Sequence, residues 1–222
     1  MNNISYAILV NDELSEITVL LEKLIPYTKE NDEIVIVQDI KESGIYNVEV
    51  KNCIDNYIIK YHNIKYYQHS LNNNFADQKN FLMSKCNKDW IFNLDADEYP
   101  HENLLLNIHD ILEMNTNVDV INIPRINIVN NISENHIKQW GWRIDNKGYI
   151  NYPDMQLRII KNNNNIIWKR PVHEYLIGYT CISELPQVDE YSLYHIKEIS
   201  KQEIQNKMYS KIIDRRNIQW KN

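Results

Sequence analysis

Residues 90–100 read WIFNLDADEYP, an apolar run that changes abruptly into three acids and closes with a proline. The pattern predicts a buried strand whose carboxyl end carries Asp95, Asp97 and Glu98 into a cleft. Two aspartates one residue apart repel each other and resist desolvation, so they favour a place where a divalent cation neutralises them. A solvated acidic turn is the alternative interpretation, and the apolar strand and Pro100 argue against it.

Other proteins that use an Asp-x-Asp motif place different residues around it. Haloacid-dehalogenase-type phosphatases need a small hydroxyl or a valine where this chain has Tyr99. An EF-hand loop needs further oxygen ligands and a glycine at fixed spacing, which residues 95–99 lack. Polymerase-β-like nucleotidyltransferases carry Gly-Ser before the motif, and this chain has no such pair. A nucleotide-sugar site is the interpretation that remains.

The N-terminal residues predict a strand, a helix and a second strand. Ile4–Val10 is apolar, residues 14–25 carry leucine and isoleucine at helical spacing until Pro26, and Glu33–Gln38 is a second buried strand. Such a unit is parallel and right-handed, and nucleotides bind at the carboxyl ends of its strands. The candidate nucleotide contacts are Val10, Asn11, Asp12 and Asp39. The aspartates alternatively serve as turn formers or helix caps.

Further elements are expected along the chain. A helix over residues 75–86 carries Lys79 near its start, where a cation could meet a diphosphate or a ribose; a solvated lysine is the alternative. The other expected elements are strands at Tyr57–Tyr61, Ile64–Gln68 and Val118–Ile123 and an amphipathic helix at His101–Met114.

Aromatic and polar residues replace this regular alternation in the second half of the chain. Trp140 and Trp142 suit packing against sugar faces, or alternatively fill a core. Residues 152–160 and 166–168 predict the two strands of a hairpin, because an asparagine-rich turn separates them.

Polar candidates and a last helix follow this region. His173 and Glu174 lie side by side after an extended stretch, and His195 lies in a further predicted strand. A capping box begins a helix expected over residues 200–216. Its apolar stripe predicts docking on the domain; peripheral membrane association or a homo-oligomer formed through this helix is the alternative.

Composition excludes several classes of partner. The formal charge is −6, the pI is about 5.7 and the lysines are scattered, so nucleic acid is not an expected partner. No apolar run reaches membrane-spanning length, so no transmembrane segment is expected, and the N-terminus lacks the layout of a signal peptide. Cys53, Cys86 and Cys181 fit free thiols in a reducing compartment, which predicts a cytoplasmic location. Heavy use of Asn, Ile, Lys and Tyr with only four Gly indicates an AT-rich genome, so the expected cytoplasm is that of a bacterium or a virus-infected host.

Three blocks of sequence, in this order and spacing, resemble glycosyltransferase family 2. They are residues 75–81 running into 89–98, residues 152–160, and residues 172–174. The likeness covers most of the chain. Within the family, the chain resembles the branch that includes lipopolysaccharide-core and peptide-modifying sugar transferases. It implies transfer of a sugar from a nucleotide-diphosphate donor, expected to be a UDP-sugar, with inversion at the anomeric carbon and a Mn or Mg cation.

The same resemblance implies an α/β fold of the GT-A type, with a mixed central sheet and helices on both faces. The expected organisation is one domain over residues 1–222. Residues 1–100 form its Rossmann-like nucleotide-sugar-binding half and residues 101–222 a smaller acceptor-binding half.

Roles are assigned by position in the resemblance. Asp95 matches the first acid of the family motif, which faces the ribose or the metal, and Asp97 matches the acid that binds the metal. Asp39 resembles the base-binding acid, and Lys79 stands where the family often has an arginine close to the nucleotide. The family's usual acid-acid-Gly-Ser after the second strand reads QDIK at residues 38–41, a departure at the predicted nucleobase site.

An inverting transfer needs a carboxylate that takes the proton of the acceptor hydroxyl while a metal holds the departing diphosphate. Asp154 and Glu174 are both candidates for this base. His195 completes the metal shell and favours Mn over Mg, or alternatively is a hydrogen-bonded core histidine. The candidate sugar and acceptor contacts are Trp140, Trp142, Arg158 and His173.

The expected acceptor is a hydroxyl of a glycan, a lipid-linked saccharide or a protein. Two other classes stay open: a sugar nucleotidyltransferase of similar architecture, and a non-catalytic module that binds a sugar or a nucleotide.

Overall fold

A computed structural model describes residues 2–41 and 43–208, which form an α/β fold around a nine-stranded sheet. The strands are β1 Ile4–Val10, β2 Glu33–Asp39, β3 Ile64–His69, β4 Trp90–Asp95, β5 Glu98–Pro100, β6 Val120–Asn130, β7 Ile150–Lys161, β8 Ile167–Lys169, β9 Tyr175–Ile177, β10 Ile182–Glu184 and β11 Leu193–Glu198. The helices are α1 Leu14–Leu24, α2 Val48–Lys60, α3 Phe75–Lys85, α4 Glu102–Met114, α5 Glu134–Trp140 and α6, described over residues 199–208. None of these helices is long and apolar enough to cross a membrane.

The main sheet changes from parallel to mixed halfway across. β3, β2, β1 and β4 lie side by side and parallel, in that order. β7 runs antiparallel between β4 and β6, β11 runs parallel to β6, and β5 pairs antiparallel with β11 at the far edge. The chain leaves β1 toward β2 on one side and returns to β4 on the other. Ligands of open α/β sheets bind at such a switch point, outside the carboxyl ends of the strands.

Both faces of the central strands are buried, because successive side chains of a strand point to opposite sides. Tyr6 and Phe92 belong to the core layer that includes α1, α2 and α4, whereas Ala7 and Ile91 pack in the layer with α3. Fully burying a large apolar side chain contributes about 1.5–3 kcal/mol. These two layers therefore hold β1 and β4, the strands that lead into the acidic motif, in fixed positions.

Two predictions about secondary structure were wrong. Tyr57–Tyr61, predicted as a strand, is the end of α2, where the Tyr61 N–H donates to the Tyr57 carbonyl at 2.9 Å. The hairpin of residues 152–160 with 166–168 does not form. β7 already has β4 and β6 on its two edges, so β8 pairs with β9 in a separate two-stranded sheet.

Other elements match the predictions with shifted boundaries. The strand predicted at Val118–Ile123 begins at residue 120 and runs on to residue 130, which adds Arg125 and Asn127 to the sheet. α6 begins at residue 199, and Lys201 pairs with Glu16 of α1. The remainder of the predicted last helix, residues 209–216, lies outside the described residues.

Candidate active site

A cavity of about 740 Å³ lies at the carboxyl ends of β1 and β4, with further walls from α3, β6, β7 and β11. It brings together most of the predicted site residues. Those that line it are Val10, Asn11, Lys79, Asp95, Asp97, Trp142, Asp154, Arg158, His173, Glu174 and His195. Asp12, Asp39 and Trp140 do not line it.

Charges of alternating sign connect the two ends of the cavity. Arg158 Nη2 donates to Asp95 Oδ2 at 2.8 Å and to Glu98 Oε1 at 2.6 Å. Arg125 Nη1 donates to the same Glu98 oxygen at 2.6 Å, and Arg125 Nη2 donates to Asp154 Oδ2 at 2.7 Å. Glu98 is fully buried between the two arginines. It therefore links the group that holds Asp95 to the group that holds Asp154.

Strand order explains how residues so far apart in sequence meet. Arg125 of β6 lies directly opposite Asp154 of β7, and β7 also pairs with β4, the strand that ends at Asp95.

Burial alone would raise the pKa of Asp95, but the positive charges of Arg158 and then Lys79 lower it to about 2. The carboxylate is therefore ionised at neutral pH.

Asp97 faces two side chains of β11. His195 Nε2 lies 3.4 Å and Lys197 Nζ 3.1 Å from Asp97 Oδ2. These two residues are two positions apart, so both project from the same face of the strand. Burial opposes ionisation of Asp97, but the hydrogen bond and charge of His195, together with Lys197, hold the pKa of this carboxyl well below its usual range.

A hydrogen bond fixes the orientation of the His195 ring. Asn127 Nδ2 donates to Asp154 Oδ2 at 2.8 Å, which leaves its Oδ1 facing His195 Nδ1 at 2.7 Å. Because an amide oxygen only accepts, Nδ1 carries the proton. When the ring is protonated, Nε2 donates to Asp97; in the neutral ring the Nε2 lone pair is free to bind a metal, as in a metal-binding histidine oriented by its second nitrogen.

Asp154 is oriented by three side chains. Arg125 and Asn127 donate to its Oδ2, and Gln156 Nε2 donates to its Oδ1 at 2.7 Å. Burial would raise the pKa of Asp154, but the Arg125 charge and these hydrogen bonds lower it. The carboxylate lines the cavity and is ionised at neutral pH.

Glu174, the second candidate base, is held by a lysine instead of by an arginine and two amides. It forms an ion pair with Lys79 of α3, and the Lys79 ammonium lies 4.5 Å from the centre of the Trp168 ring. Lys79 is only 7% exposed, and its buried charge is compensated by the Glu174 carboxylate and by the face of the Trp168 indole ring. The solvated lysine considered in the sequence analysis is thereby excluded.

Asp39 lies just beyond the cavity. Its Oδ1 accepts a hydrogen bond from the Leu71 N–H at 2.7 Å, and Leu71 lines the cavity. Burial raises the pKa of Asp39 despite this bond. The neighbouring Gln38 donates to the carbonyls of Asn11 and Asn47, so it ties the ends of β1 and β2 together.

The two predicted sugar-binding tryptophans lie next to each other. The Trp140 and Trp142 rings are 4.7 Å apart, and the His136 ring stacks on Trp140 at 5.1 Å. Trp142 lines the cavity, whereas Trp140 does not line it and contacts the Trp142 ring.

Three features of the site were not predicted from the sequence: Arg125, Lys197 and the role of Glu98 as the link between the two arginines. Arg125 had a signal: it is a charged residue inside the apolar run VINIPRINIV. Lys197 had a weaker one, its spacing of two residues from His195. The identity of its partner, Asp97, depends on β11 lying beside β5 and β6.

Comparison with known proteins decides the family. Residues 5–176 match the family described as "Glycosyl transferase family 2". The chain belongs to glycosyltransferase family 2. A search of curated protein sequences gave no match.

Solved structures agree with this family 2 assignment at the level of the fold. The structure of Staphylococcus aureus TarS 1-349 is 16% identical with a TM-score of 0.60, and the match covers 88% of this chain and 60% of that one. The same fragment in complex with UDP-GlcNAc is 16% identical with a TM-score of 0.61, covering 89% and 59%. This family 2 chain therefore has a GT-A-type fold and spans about 60% of the TarS fragment.

Proposed function

We propose that this glycosyltransferase moves a sugar, with inversion, from a nucleotide-diphosphate donor to a hydroxyl of a glycan, a lipid-linked saccharide or a protein. The observation that carries the proposal is one cavity lined by Asp95 and Asp97 at the end of a buried strand and by an oriented, ionised Asp154. The proposed donor is a UDP-sugar. The likeness to TarS, whose fragment is described in complex with UDP and with UDP-GlcNAc, supports that choice.

The charge of the cavity favours a divalent cation. Among the described residues, five carboxylates line it and the buried Glu98 lies next to it, against four lysine and arginine side chains, which leaves a formal charge of −2. A diphosphate adds further negative charge, so a cation has to accompany it. The five carboxylates are Glu13, Asp95, Asp97, Asp154 and Glu174, and the four cations are Lys79, Arg125, Arg158 and Lys197.

Asp97 and His195 fit the binding of that cation. Their facing atoms lie 3.4 Å apart, near the roughly 3 Å that separates neighbouring ligands with bonds of about 2.1 Å. No group of three His, Cys, Asp or Glu side chains with metal-binding geometry occurs within residues 2–41 and 43–208. Two protein ligands suffice when substrate phosphates and water supply the rest. An imidazole ligand favours Mn over Mg.

The side chains of the cavity have different proposed roles in the transfer. Asp154 is the proposed base, because three donors fix its orientation and it is ionised; it takes the proton of the acceptor hydroxyl. A cation held by Asp97 and His195 would supply positive charge to the departing diphosphate. Lys79 and Arg158 add positive charge near the same group, and Asp95 faces the ribose or shares the cation. Glu174, held by Lys79, is the rival base.

A thermal-shift panel tests the proposal. UDP, GDP, ADP, CDP and dTDP are each added with Mn, Mg or EDTA, because a ligand that binds only the folded state raises the midpoint of unfolding. We expect one nucleotide, UDP, to raise the midpoint in Mn and not in EDTA, and Asp97→Ala to abolish the effect. A wild-type protein that responds to none of the five nucleotides with either metal would contradict the proposed function.

A further inference from the structure

We propose that Lys197 is a further catalytic residue, whose ammonium leaves Asp97 for the donor diphosphate when nucleotide and cation bind. The inference rests on the proposed function and adds a contact that neither the sequence pattern nor the family match, which ends at residue 176, contains. It starts from the position of the side chain: Lys197 is 7% exposed, lines the cavity and lies on the same strand face as His195.

The ammonium of Lys197 has two described partners. Asp97 Oδ2 and Gln205 Oε1 each lie 3.1 Å from Nζ. The charge is therefore compensated by one carboxylate and one neutral amide. An ammonium has three N–H donors, so a third direction is available for another acceptor.

The other three cations of the cavity each pair with a carboxylate that the proposed cation does not use. Arg125 joins Glu98 to Asp154, Lys79 pairs with Glu174, and Arg158 pairs with Asp95 but also with the fully buried Glu98, which stays its partner if Asp95 shares the cation. Lys197 differs because its one carboxylate partner among the described residues, Asp97, is the proposed ligand of the divalent cation. Lys197 and that cation compete for one group.

This competition determines what happens when the site fills. A cation that takes Asp97 leaves the Lys197 ammonium buried with no anionic partner within residues 2–41 and 43–208, which is costly. The diphosphate held by the same cation is the nearest new source of anionic oxygens. Lys197 can then donate to an oxygen of the diphosphate and stabilise the charge that develops there as the bond to the sugar breaks.

Opposite effects on two ligands follow from this exchange. Without nucleotide, removing the ammonium removes a competitor, so Lys197→Met should bind Mn²⁺ several-fold more tightly than the wild type. With Mn²⁺ saturating, the same variant should bind UDP about 10- to 100-fold more weakly, the loss of one hydrogen bond to a charged group. UMP, which lacks the second phosphate, should lose less than twofold. A residue that only supported the fold would shift all three affinities in one direction.

The experiment measures Mn²⁺, UDP and UMP affinities by titration calorimetry for the wild type, Lys197→Met and Lys201→Met. Lys201 is the matched control, since it is a lysine on α6 that pairs with Glu16 and does not line the cavity. Lys197→Arg, which keeps the charge, should restore part of the UDP affinity. Lys197→Gln replaces the methionine variant if that variant does not fold.

The outcomes separate this inference from the proposed function. Wild-type protein that binds no nucleoside diphosphate overturns both. Wild-type binding of UDP in Mn²⁺ that Lys197→Met leaves within twofold overturns the role of Lys197 alone. Equal losses for UDP and UMP, or weaker Mn²⁺ binding without nucleotide, also overturn it.

Discussion

Glu98 is the side chain whose removal should most disturb the site from within. It is fully buried, and one of its oxygens accepts hydrogen bonds from both Arg125 and Arg158 at 2.6 Å. Glu98→Gln keeps the shape and removes the charge. Breaking a buried ion pair costs about 3–5 kcal/mol. Because Arg125 keeps Asp154 and Arg158 keeps Asp95, we expect the lower limit, about 3 kcal/mol.

Thermal unfolding followed by circular dichroism measures this loss. For a chain of this size, 1 kcal/mol shifts the midpoint by about 2–4 °C, so Glu98→Gln should lower it by about 6–12 °C. Glu30→Gln is the matched control: Glu30 is exposed, and its variant should stay within about 0.5 kcal/mol of the wild type. A shift below about 2 °C for Glu98→Gln would refute the view that the two arginines depend on this carboxylate.

Three further outcomes are expected. The lowered pKa of Asp95, about 2 against an ordinary 3.8, contributes stability that is present above pH 4 and is lost as the pH falls toward 2; Asp95→Asn should flatten this part of the curve of unfolding free energy against pH, and an unchanged slope would contradict the assignment. Asp154→Asn should lower kcat at least 100-fold with donor affinity retained, whereas that pattern in Glu174→Gln instead would move the base to Glu174. Burial raises the pKa of the Cys86 thiol to about 12, so DTNB should modify exposed Cys181 quickly and leave Cys86 unmodified in folded protein; rapid modification of Cys86 would contradict its burial.

The first half of the fold was predictable because its signals are local. Ile4–Val10 and the apolar run before Asp95 are buried strands, and their β-branched and aromatic residues show it in sequence. Tyr57–Tyr61 misled the prediction, since a short apolar run between tyrosines has no period of its own. Its helical state is set upstream, where Asn47 caps α2 and Val50 and Ile54 form the buried face.

The site was predictable where one motif carries it and unpredictable where strands from different regions meet. Asp95 and Asp97 are adjacent to a readable strand. Lys197 reaches Asp97 only because β11 pairs with β5 and β6, and this pairing cannot be read from sequence spacing. The failed hairpin has the same origin: whether β7 has a free edge depends on β4, about sixty residues earlier.

The position of β11 also constrains the order in which the strands of the sheet can pair during synthesis. β5 has β11 as its strand partner among the described residues, so the strand that begins with Glu98 stays unpaired until the chain has been synthesised nearly 100 residues further. Synthesis runs from the N-terminus, so the parallel strands β1 to β4 are all available before β11 has been made. During synthesis the acidic motif is therefore exposed before His195 and Lys197 arrive. The nascent chain contains Asp97 long before it contains the two β11 side chains that compensate its charge.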